Sequence, residues 1–226
     1  AAKRIAEHAE SADPKPLFLA VGFIRPHTPL HVPEKYFDLF PLEDIRLAPN
    51  GEKPEGASPY AFMDSFELRA YSDIPDSGPA VESDDKARRL LQAYYACVAY
   101  VDDLVGRVVA ALEDSEHADN TLIVLWSDHG WHLGEKEHWG KATGWYRSTR
   151  IPFLVIPPRN SLPDGFEPNS ESARPVNLLD LAPTIAEFAG VPPRKEWEGN
   201  SLVPLVADPD KEWQPYTLTT FGRGDH

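Results

Sequence analysis

Apolar residues gather along this chain in short blocks with turn-forming stretches between them. Leu17 to Ile24 (LFLAVGFI), Thr121 to Trp126 (TLIVLW) and Ile151 to Ile156 (IPFLVI) are near-continuous apolar runs of strand length. Such runs fit strands buried on both faces. Tyr216 to Phe221 (YTLTTF) suggests a last strand. From Asp84 to Leu112 the pattern changes, with Leu91, Tyr94, Val98, Val101, Val105, Val108 and Leu112 recurring at spacings of three and four. That period predicts one long amphipathic helix. Asp84 and Asp85 suit its positive N-terminal end, and Asp103 can pair with Arg107 one turn on. Glu34 to Phe40 predicts a short helix, and Leu178 to Ala189 another, stopped by Gly190. Apolar strands alternating with helices predict the α/β class, with a mostly parallel sheet flanked by helices. No repeat, low-complexity block or internal domain boundary shows in residues 1–226.

Two irregular stretches interrupt this pattern. The first run ends at Arg25-Pro26-His27-Thr28-Pro29, where two prolines force a turn. From Pro41 to Ser83 the chain is rich in proline and has no sustained period, which predicts a long surface excursion of the kind more often functional than idle. In open α/β sheets ligands collect beyond the carboxyl ends of the strands. Asp128 and His129 follow one predicted strand and His27 follows another, so parallel strands would bring all three to one rim.

Net charge is −14, with the acids spread along the chain. Nucleic acid and anionic membrane are therefore poor partners, although a local cationic pocket can still take a small anion. No window is long and apolar enough to span a bilayer, and the first residues carry no signal-peptide core. The single cysteine, Cys97, excludes an internal disulfide framework and a zinc site built on cysteines. Its apolar neighbours Tyr94, Val101 and Leu104 predict a buried, inert thiol.

The segment WSDHGWHLGEKEHWGK, Trp126 to Lys141, holds most of the candidate chemistry. Asp128 offers a hard anionic oxygen and His129 an imidazole nitrogen, a pair able to hold a divalent cation. Equally, Asp128 can cap a turn and His129 can simply be exposed. Lys141 can meet a sulfate or phosphate oxygen as a point charge, or be a solvated surface lysine. His27 can donate a proton or bind an anion, or brace its proline turn. Trp131 and Trp139 can wall a pocket or staple the loop to the core. The glycines argue against a helix that would join His132 and His138 in a second metal site. Asp102-Asp103 reads as a solvated helix face, and Arg223-Gly224-Asp225 as chance.

Taken together, FLAVGFIRPHTPLHVP, YYACVAYVDDLVGRVVAAL, LIVLWSDHGWHLGEKEHWGK, STRIPFLVIPP and LLDLAPTIAEFAGVP resemble, in order, segments of the sulfatase family of the alkaline-phosphatase superfamily. The likeness is strongest to its iduronate-2-sulfatase branch. It implies an alkaline-phosphatase-like fold, calcium held by Asp128 and His129, and contact of His27 and Lys141 with the sulfate or its leaving oxygen. It also implies a formylglycine nucleophile, made from the cysteine of a Cys-x-Pro-Ser-Arg stretch that residues 1–226 do not contain. The chain is accordingly expected to be a middle-to-C-terminal part of such an enzyme and inactive alone. A sulfated carbohydrate substrate and a periplasmic, secreted or lysosomal setting are implied in the same way. The rival readings are a phosphatase or phosphonate hydrolase of the same superfamily, and a non-catalytic module that binds an anionic glycan.

Overall fold

A computed structural model describes residues 1–12 and 15–220. Along them run α1 (Ala2–Ala9), α2 (Asp84–Glu113), β1 (Ile123–Trp126), β2 (His132–Leu133), β3 (Trp139–Gly140), α3 (Tyr146–Thr149), β4 (Phe153–Ile156), α4 (Leu181–Phe188) and α5 (Val203–Ala207). The chain forms two compact units. One comprises Ala1–Glu116 with His129–Arg150, the other His117–Asp128 with the chain from Ile151 onward.

The first unit is built on α2, whose 30 residues match the predicted helix to within a residue. Ser83 caps it by accepting from Lys86 N, and Asp84 and Asp85 occupy the first turn. Leu91, Ala96, Cys97 and Leu112 are buried, whereas Val98, placed in the stripe by its spacing, is 46% exposed. The expected Glu34–Phe40 helix is a 3₁₀ turn, Glu34–Tyr36, and Tyr36 Oη donates to Asp103 at 2.7 Å. The proline-rich excursion has neither α-helix nor strand; 3₁₀ turns at Leu42–Asp44, Pro59–Ala61 and Leu68–Ala70 punctuate it. It is nonetheless well anchored. Ile45, Leu68, Ile74 and Ala80 form one apolar core with Ala87 and Leu91 of α2 and Trp139 of β3. Arg69 ties the excursion together, gripping Asp64 through two nitrogens at 2.8 and 2.7 Å and also the carbonyls of Pro75 and Gly78.

The second unit carries β1 and β4, then α4 and α5. Asn177 and Asp180 make a reciprocal cap before α4, and Asp180 also accepts from Asn200 N. Gly190, at φ +66°, ends the helix region as expected, in the left-handed conformation that glycine tolerates best.

The α/β class stands, but the strand pairing differs from expectation. Both ladders among the described residues are antiparallel: β1 with β4, Trp126 opposite Phe153, and β2 with β3, His132 opposite Gly140. The exposure of β4 explains why. Phe153 and Val155 turn inward while Leu154 and Ile156 are each 48% exposed, and parallel strands need cover on both faces. Leu17–Ile24 joins neither ladder, and its Phe18 and Ile24 are 77% exposed. Tyr216–Thr220 is not a strand either; Phe221 and the Arg223-Gly224-Asp225 tripeptide lie outside the described residues.

Candidate active site

His27 is delivered by the double-proline turn. Its N–H donates to Ile24 O, and the Arg25 guanidinium bridges the turn to the carbonyls of His27 and His31. The excursion holds the turn from the other side, because Leu30 N donates to Tyr71 Oη at 2.6 Å. The His27 ring donates from Nδ1 to Thr28 O at 2.7 Å, which leaves Nε2 as the atom able to exchange a proton.

Lys141 is delivered by the β2–β3 hairpin. Gly134, at φ +104°, starts the turn between the strands. His138 Nε2 donates to Lys141 O at 2.9 Å, pinning the backbone at the lysine. Trp139 anchors the hairpin in the core, and its N–H donates to Ser65 Oγ at 3.0 Å. Trp131 does a different job: it stacks on Tyr94 of α2, with the Lys141 ammonium 5.9 Å from its ring centroid. Of the two tryptophans, Trp139 is the staple and Trp131 lies beside the lysine.

His27 and Lys141 meet on one carboxylate oxygen. Glu67 Oε1 lies 3.4 Å from His27 Nε2 and 3.1 Å from Lys141 Nζ. The Glu67 side chain is only 12% exposed and that of Lys141 21%, so this lysine is no solvated surface group. With Nδ1 already donating to Thr28 O, His27 makes a hydrogen bond to Glu67 only when its ring carries both protons. Ser65 and Leu68, both buried, fix Glu67 from either side.

Strand polarity does not produce this meeting, since Leu17–Ile24 forms no strand. It comes from an acidic residue in the aperiodic excursion. The only hint was the length of the excursion itself; nothing in Ser65-Phe66-Glu67-Leu68 marks the acid as special.

Asp128 follows β1 in the second unit and is exposed. His129, half-buried, opens the second segment of the first unit, and its Nδ1 donates to Gly130 O at 2.8 Å. Among the described residues no group of three or more His, Cys, Asp or Glu is gathered for a metal ion. Calcium takes about six to eight ligands, mostly oxygens, so two side chains would be only a part of such a site.

His132 and His138 belong to the scaffold. Their rings lie edge to face with centroids 4.9 Å apart. Thr143 Oγ1, which also contacts Ser148 Oγ, lies 3.3 Å from His132 Nε2. Cys97 is fully buried, and burial pushes its thiol up to about 11, far from a nucleophile at neutral pH.

A lysine and a histidine are thus gathered beside one carboxylate within the first unit. Comparison supplies the family, since the sulfatase family matches residues 1–191. The chain belongs to the sulfatase family. It is 38% identical over 212 residues to a sulfatase of Formosa agariphila, covering 94% of this chain and 40% of that protein. It is 37% identical over 204 residues to human iduronate 2-sulfatase, covering 79% and 37%. Among solved structures, the phosphonate monoester hydrolase SpPMH from Silicibacter pomeroyi superposes with a TM-score of 0.67 at 28% identity, covering 85% of this chain and 38% of that one. The fold is thus alkaline-phosphatase-like. The chain spans about two-fifths of the length of these relatives.

Proposed function

We propose that this chain is part of a sulfuric ester hydrolase acting on sulfated sugars. Its His27 and Lys141 handle the sulfate, and its Asp128 and His129 contribute to a calcium site. The observation that carries this reading is the meeting of His27 and Lys141 within 3.4 Å of Glu67, in a chain of the sulfatase family. The Lys141 ammonium offsets negative charge that grows on the sulfate oxygens as the ester bond breaks. His27 passes its Nε2 proton to the departing sugar oxygen while Nδ1 stays fixed on Thr28 O. Calcium, when bound, would neutralise the sulfate oxygens. The nucleophile, a formylglycine, is assigned to sequence outside residues 1–226, because no Cys-x-Pro-Ser-Arg stretch occurs here and Cys97 is buried. The excursion that supplies Glu67 is the natural wall for the sugar. Likeness to iduronate 2-sulfatase supports a sugar substrate.

A second reading, hydrolysis of phosphonate monoesters, is favoured by the superposition on the Silicibacter pomeroyi enzyme. One assay separates the two. 4-Nitrophenyl sulfate and 4-nitrophenyl phenylphosphonate are offered to this chain joined to a family segment bearing the nucleophile, and to the 226-residue chain alone. The joined protein is expected to turn over the sulfate, Lys141→Ala to lower kcat/KM roughly 10²- to 10⁴-fold, and the chain alone to give no multiple turnovers. Preference for the phosphonate would favour the second reading. Sustained sulfate hydrolysis by the chain alone would contradict the assignment of the nucleophile.

A further inference from the structure

We propose that Glu67 sets the charge selectivity of the cleft, offsetting one positive charge at His27 and Lys141 so that singly charged oxyanions are favoured over doubly charged ones. The inference rests on reading His27 and Lys141 as the anion-handling pair. Both side chains address the same Glu67 oxygen, at 3.4 and 3.1 Å. The other oxygen, Oε2, is buried without a hydrogen-bond partner among the described residues. The carboxylate is therefore screened by little besides the two side chains that would hold the substrate, and its field reaches any anion they bind. Its position is not adventitious, because the Ser65–Trp139 hydrogen bond and buried Leu68 hold the backbone on both sides.

The chemistry of the two ester classes supplies the discrimination. A sulfate monoester carries one negative charge. A phosphate monoester has a second pKa of about 6 and carries nearly two at pH 7.5. Repulsion from a fixed carboxylate scales with ligand charge, so the dianion suffers about twice the penalty of the monoanion. With Glu67 in place, the three side chains together carry at most one net positive charge, which disfavours a dianion more than a monoanion. Without it the cleft gains one unit, and the dianion benefits more.

The test uses methyl sulfate and methyl phosphate, titrated calorimetrically at pH 7.5 and fixed low ionic strength. The proteins are the wild-type chain, Glu67→Gln, Glu67→Asp and Lys141→Ala. Glu67→Gln keeps shape and removes charge, and is expected to move the affinity ratio toward methyl phosphate by roughly tenfold. Glu67→Asp keeps the charge and is expected to retain the wild-type ratio. A purely structural Glu67 would move both affinities together and leave the ratio unchanged, which would overturn the proposal. Lys141→Ala separates that failure from failure of the site itself. Binding that survives Lys141→Ala, or wild-type protein that binds neither anion, would overturn the anion site and this inference with it. Binding lost in Lys141→Ala with no change of ratio in Glu67→Gln would overturn the selectivity alone.

Discussion

His132 and His138 are the most deeply buried titratable pair in the hairpin, 0% and 4% exposed. Burial pushes His132 down to about 4, helped by the neighbouring His138, and burial also lowers His138. Both rings are therefore neutral in the folded state near pH 7, although each would take up a proton readily if unfolded. The sign follows from linkage: below about 6.5 the unfolded chain binds more protons, so stability falls as pH falls, until about 4 for His132. Each such histidine removes up to ~1.4 kcal/mol per pH unit in that window. Urea unfolding followed at pH 7.5 and pH 5.0 is expected to show a lower midpoint at pH 5.0, with part of the difference abolished in His132→Phe. A midpoint that rises on acidification would contradict burial of the neutral pair. Burial of these histidines is not legible in the sequence, because spacing shows which residues can share a face and not which will be desolvated.

The loop that carries the candidate chemistry depends on close backbone approach. A Cβ on Gly130 would lie 2.0 Å from Arg147 O, where Gly130 N already donates to Ser148 O at 2.8 Å. Gly130→Ala therefore has to push the loop away from α3 and is expected to cost roughly 2–4 kcal/mol. Gly144→Ala meets nothing within 4 Å and is expected to be near neutral. Thermal unfolding of the two variants checks this; equal behaviour would contradict the close packing of the loop. The same contrast explains which elements were legible. Helix α2 announces itself through its period, its Ser83 cap and its acidic first turn, all local features. The apolar runs 121–126 and 151–156 located strands correctly but could not name their neighbours, so an antiparallel ladder was read as parallel. The excursion has no period because its order comes from Arg69 gripping Asp64 and two carbonyls, and from single apolar residues inserted into a shared core. Such contacts leave no repeating mark. His27, Lys141, Asp128 and His129 stand out as candidates through residue type and family resemblance, whereas Glu67 stands out through neither.

At the scale of the whole molecule, a chain of net charge −14 is proposed to bind an anion. The mean field opposes this, so the local balance at His27, Lys141 and Glu67 has to decide it. That is the central claim, and it can be read directly at the residues named. Methyl sulfate titrated into isotopically labelled chain near pH 7 is followed by the ring signals of His27 and the side-chain methylene signals of Lys141. Buried His132 and His138 serve as internal controls. The account predicts that His27 and Lys141 shift together along one saturating curve, that His132 and His138 stay still, and that Lys141→Ala abolishes the His27 response. Shifts confined to other residues, or a His27 response that persists in Lys141→Ala, would contradict it.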